Sequence, residues 1–240
     1  MICMENTPNF AGVHLAGDRN DFECLSKAIH AIVGDEGEFL GYEQVRQRVL
    51  EFCEEIHFTL DGQRGIAFVP NGVDKLVEKG VPVTPVSRKN AYYHFKVLWP
   101  EMLFIGFVMN EFIELSAKHR KHFWDLNPAV IRQFQAVLAC CLEKTIGDKK
   151  FRLLKSALTP TFIGYYQNYY PQYIDYLNVE LLKMPKEKRL ANISIVAKRI
   201  ANKDKNYIDL KRKIETEALL EKTCPTEVLP FELCPKEIVW

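Results

Sequence analysis

Tyr165, Tyr169, Tyr173 and Tyr176 recur at intervals of three or four residues, as one side of a helix would, and Lys188, Arg189, Lys198 and Arg199 follow them. Rings beside cations are how single-stranded nucleic acid is held: the rings stack on bases and the cations meet phosphates. Six of the ten tyrosines lie between 165 and 176, and residues 183 to 213 carry eleven Lys and Arg against Glu187, Asp204 and Asp209. The competing reading packs the tyrosines between helices, hydroxyls at the rim, and leaves the lysines to keep a helix solvated. Residues 18 to 60 are the opposite, with ten acidic side chains and four basic ones. A net charge of +1 therefore hides an acidic first quarter and a basic C-terminal third. This split predicts contact with a polyanion or an acidic partner, or between the acidic region of one subunit and the basic region of another.

Three other constellations could do chemistry. Glu111, Glu114, Lys118, His122 and Asp125 would span only about 80° of a single helix, close enough for two carboxylates and a histidine to share a metal. On the opposite side lie Ile105, Val108, Phe112, Leu115 and Phe123, with His119 among them. The plainer reading is therefore the solvated face of an amphipathic helix, with no metal. Cys53 and His57 are four residues apart, the separation of a thiolate–imidazolium pair, yet Cys53 falls in an apolar stripe that would leave it inert. His14 and His94 each alternate with apolar neighbours on strands. If those strands pair, the two imidazoles and Lys96 form a polar pocket on one sheet face; ordinary polar packing is the alternative.

The familiar catalytic signatures are missing: there is no nucleotide-binding glycine loop, no G-x-S-x-G, no H-E-x-x-H and no C-x-x-C. No cofactor is expected. The seven cysteines are odd in number and unpaired in spacing, which predicts free, mostly buried thiols in a reducing compartment. The richest apolar window, Trp99 to Met109, is interrupted by Glu101, and the N-terminus lacks the pattern of a signal peptide. A soluble cytoplasmic protein is the expectation.

These residues need elements to position them. Ala11 to Ala16 reads as a strand, and Asp18 or Asn20 as the cap of a helix with Phe22, Leu25, Ile29 and Ile32 on its face, stopped by Gly34. Gly41-Tyr42 opens a second helix, with Val45, Val49, Phe52, Cys53 and Ile56 at helical spacing, ended by Asp61-Gly62. Gly65 to Val69 reads as a strand, followed by a short helix near 73 to 78 and a loop over 80 to 90. Tyr92 to Trp99 alternates cleanly, with Tyr93, Phe95, Val97 and Trp99 on one face. Pro100 starts a helix. Asn127-Pro128 starts another, Asp148 a short basic one, and Thr159-Pro160 a tyrosine-rich one that Pro171 breaks or restarts. Leu190, Ile193, Val196, Ala197 and Ile200 mark an amphipathic helix, and Tyr207, Leu210, Ile214 and Ala218 the next. The fold expected is α+β: a small antiparallel sheet of about three strands with helices over the first hundred residues, continuing into a helical bundle. Segments 1–126 (α+β), 127–222 (helical) and 223–240 (tail) divide the chain, the first two with one continuous core. In the tail, Cys224-Pro-Thr-Glu-Val228 recurs as Cys234-Pro-Lys-Glu-Ile238, and prolines 225, 230 and 235 impose an extended arm that docks on its own fold or on a neighbour.

Three strings carry a resemblance: Asn6-Thr-Pro-Asn-Phe-Ala-Gly-Val-His-Leu-Ala-Gly-Asp18, Ile32-Val-Gly-Asp-Glu-Gly-Glu38 and Asn90-Ala-Tyr-Tyr-His-Phe-Lys-Val-Leu-Trp-Pro-Glu-Met-Leu-Phe104. Over roughly the first 115 to 125 residues the chain resembles an uncharacterised bacterial family, a domain of unknown function. The resemblance implies a bacterial cytosolic protein and carries over no catalytic residue. The expected function is that of a non-catalytic binding or regulatory protein rather than an enzyme, working through nucleic-acid or protein contact as a homo-oligomer without a membrane. Its contact residues would be Tyr165, Tyr169, Tyr173, Lys188, Arg189, Lys198 and Arg199. The alternative is an enzyme with an unfamiliar site at His14/His94 or at Glu111/His122/Asp125.

Overall fold

Local rules build the first two helices. Asp18 caps α1 (Arg19–Val33): its carboxylate accepts from the Asp21 N–H while Asp21 accepts from the Asp18 N–H. Phe22, Leu25, Ile29 and Ile32 are buried on one face, and Gly34, at φ 72°, ends the helix. Helix α2 (Glu43–Leu60) buries Val45, Val49, Phe52, Cys53 and Ile56 and stops at Asp61. The computed structural model describes residues 1–71, 73, 79–80, 87–119, 124–158, 162–229, 235 and 237–240. The helix expected near 73–78 and most of the loop expected over 80–90 lie outside the described residues.

Strands β1 (Cys3–Asn6), β2 (Gly12–Gly17), β3 (Gly65–Pro70) and β4 (Lys89–Leu98) form an antiparallel sheet in the order β1-β2-β4-β3. The expectation of about three strands is thus corrected to four. Cys3–Asn6 is too short to display alternation and becomes a strand by pairing with β2, Glu5 opposite His14. Val13, Leu15, Phe95 and Val97 are buried, and Phe22 and Phe52 pack on Phe95. His14 and His94 lie on the other face. Gly65 pairs with His94, and a Cβ there would fall 1.9 Å from the imidazole, so this strand position needs glycine.

Helix α3 (Trp99–His119) is apolar nearly all round because it runs through the centre, packed on α1 and on later helices. Then come α4 (Leu126–Ile146), α5 (Asp148–Leu154), α6 (Tyr170–Leu182), α7 (Lys186–Asn202) and α8 (Lys205–Glu221). The buried apolar cluster runs from Met4 to Val228. Among the described residues no helix is long and apolar enough to cross a membrane.

Two local expectations are corrected. The helix start expected at Thr159-Pro160 lies outside the described residues; residues 163–166 are turns rather than helix, with Gly164 at φ 94° and Asn168 at φ 63°, and α6 begins at Tyr170 with Pro171 in its first turn, the restart the sequence allowed. Tyr165 and Tyr169 therefore do not share a helix face with Tyr173 and Tyr176. Of the six described cysteines, all free, only Cys53 and Cys141 are buried, whereas mostly buried thiols were expected.

The described parts of the tail dock on their own chain. Gln172 Nε2 donates to the Pro225 and Val228 carbonyls, Asn9 donates to the Trp240 carbonyl, and Arg189 to that of Val239.

Candidate ligand-binding cleft

The residues expected to carry function are dispersed, and several are spent on packing. Tyr173 is fully buried and its hydroxyl donates to Asp204 at 2.5 Å. Tyr165 donates to the Ala201 carbonyl and Tyr169 to Glu215. Lys203 Nζ caps the Tyr165 ring at 4.2 Å and also lies near the Tyr170 and Tyr207 rings. Arg189 is buried and donates to the carbonyls of Met184, Leu182, Asn9 and Val239, which makes it a clamp between α6, the N-terminal loop and the tail. Arg199 pairs with Asp204. Lys188 and Lys198 are exposed on α7. The tyrosines and the two free-standing lysines are thus not one surface.

The histidines of the sheet do meet, His14 Nε2 and His94 Nδ1 being 2.7 Å apart so that one ring donates to the other. Burial, then His94 and Lys96, hold the His14 pKa below its ordinary value, with Glu5 opposing. Lys96 is the strand partner of His14 on the same sheet face, and its Nζ lies 5.6 Å from the Trp240 ring centre. Of the acidic helix face, Glu111 and Glu114 lie on α3, Asp125 is extended just before α4, and His122 lies outside the described residues. Glu111 is buried, accepting from the Tyr42 hydroxyl and the Tyr166 N–H, because turn 163–166 folds over it. His57 contacts Ser26 at 3.1 Å, and burial pushes the neighbouring Cys53 thiol up to about 12, so the pair holds no thiolate.

A different group of side chains lines a cleft between α2, β4, α3 and α6. Arg48 leaves α2 just beside its apolar stripe and reaches both Glu101, in the first turn of α3, and Asp175 on α6. Its Nε donates to Glu101 Oε1 at 2.9 Å, its Nη2 to Glu101 Oε2 at 2.5 Å and to Asp175 Oδ1 at 2.8 Å, and its Nη1 to the Pro171 carbonyl at 2.9 Å. Burial opposes the guanidinium's charge, but Glu101 and Asp175 more than offset it and raise its pKa further. Glu51 stands on the same rim. Desolvation, helped by Glu101, Glu54 and Asp175 and opposed by Arg48, raises its carboxyl above the ordinary range.

The cleft holds about 480 Å³, and Phe52, Val97, Leu98, Ile238 and Trp240 give it apolar walls. Asn178 lines it too, 4% exposed; its Nδ2 donates to Glu101, while its Oδ1 is buried without a partner. The amide orientation follows from Glu101, since a flip would set oxygen against carboxylate.

The family comparison covers this whole arrangement, since a family described as a domain of unknown function, DUF6904, matches residues 2–240. The chain belongs to the DUF6904 family. Membership extends through the lysine-rich C-terminal half, beyond the first 115 to 125 residues that carry the local resemblance. No curated protein and no solved structure matches the chain. In this DUF6904 chain, sequence reasoning missed Arg48, Asp175 and Asn178. Their one local signal is Arg48 itself, a cation at the border of an apolar helix stripe.

Proposed function

We propose that this DUF6904 chain is a non-catalytic binding protein whose cleft around Arg48 takes a small organic cation with an apolar body. The observation that carries the reading is the charge of the cleft lining, which among the described residues is Glu51, Glu55, Glu101 and Asp175 against Arg48 and Lys96. Glu51, Glu101 and Asp175 share the single guanidinium of Arg48, while Arg64 answers Glu55 and Lys96 faces Trp240. An ammonium group would relieve that excess, and its alkyl part would lie on Val97, Leu98 and Ile238.

Calorimetric titration with hexylamine and with hexanol, its uncharged counterpart, tests this. Hexylamine binds and hexanol does not, and Asp175→Asn weakens hexylamine by about tenfold, or about 1.4 kcal/mol. Equal behaviour of amine and alcohol, or no binding of either, refutes it.

A second reading keeps the basic helices in play. Among the described residues the ion pairs of 186–215 stay within that stretch, and Lys188 and Lys198 are exposed on α7. Lys188 and Lys198 would then meet a polyanion. Oligonucleotide anisotropy at about 50 and about 200 mM salt decides it: phosphate-driven affinity collapses over that range, and absence of binding at the lower salt removes the reading.

A further inference from the structure

We infer that a second site, independent of the Arg48 cleft and opposite to it in charge preference, takes a short aliphatic carboxylate in the groove between α3 and α4. The groove holds about 250 Å³ and is walled by Leu103, Phe107, Leu138, Leu142 and Leu158. Gly106, Ala136 and Ala139 line it too, and their small size leaves the space open. Its charged lining among the described residues is Arg132 alone.

Buried amides hold that guanidinium in place. Asn110, on α3, is 5% exposed, and its Oδ1 accepts from Arg132 Nη1 and, at 3.1 Å, from Gln135 Nε2. Arg132 Nη1 also donates to Gln135 Oε1 at 2.8 Å, and Gln135 Nε2 to the Gly106 carbonyl at 2.7 Å. An Asn110 flip would set its NH2 group against two donors, so the amide orientation is fixed. Two sets of donors are left over. Among the described residues no protein acceptor meets Arg132 Nε or Nη2, and no carboxylate pairs with the guanidinium. Nε and Nη2 form the side-on edge of the fork, which takes both oxygens of a carboxylate, as Arg48 does with Glu101. The Asn110 Nδ2 also lacks a protein acceptor among the described residues, and it is not sealed from solvent. A carboxylate supplies the missing charge and the missing acceptors together, and its tail lies on the leucines. The groove is smaller than the ~300–1,000 Å³ of drug-sized sites, so the ligand is short.

The test is calorimetric titration of the whole chain with acetate, hexanoate, octanoate and 1-hexanol at about 0.15 M ionic strength, where screening beyond about 8 Å removes loose counterion binding. Hexanoate should exceed acetate by about tenfold or more, since each buried methylene is worth up to about fourfold, and it should exceed 1-hexanol by about tenfold. Arg132→Gln, at an exposed position, should lower hexanoate and octanoate affinity by about tenfold. Ala136→Leu, which narrows the groove without touching the guanidinium, should weaken octanoate more than acetate; thermal melting confirms that each variant is folded. Equal affinity for hexanoate and 1-hexanol, or an undiminished affinity in Arg132→Gln, overturns the anion site. Acetate binding as tightly as octanoate overturns the groove's part in it, and failure of every carboxylate to bind overturns the whole inference.

Discussion

Replacing Arg48 with methionine keeps the apolar stem, removes the charge, and should destabilise the protein by about 3 kcal/mol. The Arg48 and Glu101 side chains are 12% and 20% exposed. Breaking a buried ion pair from one side costs about 3–5 kcal/mol because the remaining charge is stranded, and the partial exposure of Glu101 brings that figure down. Asp175 is 40% exposed, so solvent screens its arm of the interaction and it adds at most about 1 kcal/mol. For a chain of this length the sum corresponds to a drop in Tm of about 6–12 °C, at about 2–4 °C per kcal/mol. Urea denaturation of the wild type, Arg48→Met, Glu101→Gln and the double variant separates the terms. If stranded charge is the main cost, Glu101→Gln should recover about 1–2 kcal/mol in the Arg48→Met background. An Arg48→Met variant within about 0.5 kcal/mol of wild type, or a Glu101→Gln change that destabilises it further, would refute the reasoning.

Three other outcomes are expected. Gly65→Ala should cost about 1–3 kcal/mol by driving the His94 ring off the strand, and His94→Ala in the same chain should restore much of it, read by urea midpoints. Because the His14 pKa is lowered in the folded state, its contribution is complete above the ordinary value of 6.5 and is lost as pH falls below it; Glu5 opposes the shift, and His94 and Lys96 reinforce it. Stability measured from about pH 7.5 to about pH 5 should therefore decline more in wild type than in His14→Gln, and equal declines would exclude this histidine. Iodoacetamide at neutral pH should label the exposed Cys3, Cys140 and Cys224 well before the buried Cys53 and Cys141, whose thiols burial raises to about 12 and about 11, and peptide mass spectrometry gives the order.

The sequence by itself determined what depends on neighbours along the chain. The stripe of α1, its Asp18 cap and its Gly34 stop were legible because each is a relation within a few residues. The alternation of β4 was legible for the same reason, and it placed His94 opposite Phe95 before any partner strand was known. Turn 163–166 was misread because tyrosine spacing imitates a helix, whereas the positive φ of Gly164 and Asn168 and the position of Pro171 forbid one. Burial of Glu111 was also out of reach, since its donors, Tyr42 and Tyr166, come from distant segments.

The cleft belongs wholly to the tertiary structure. Arg48, Glu101 and Asp175 lie on three helices separated by long stretches of chain, and nothing in their local spacing brings them together. The vacancy at Asn178 is less visible still, because an unpartnered oxygen exists only once every neighbour has been placed. Periodicity and capping are short-range and can be read in order along the chain; charge compensation and hydrogen-bond satisfaction are sums over neighbours in space, which only the folded chain supplies.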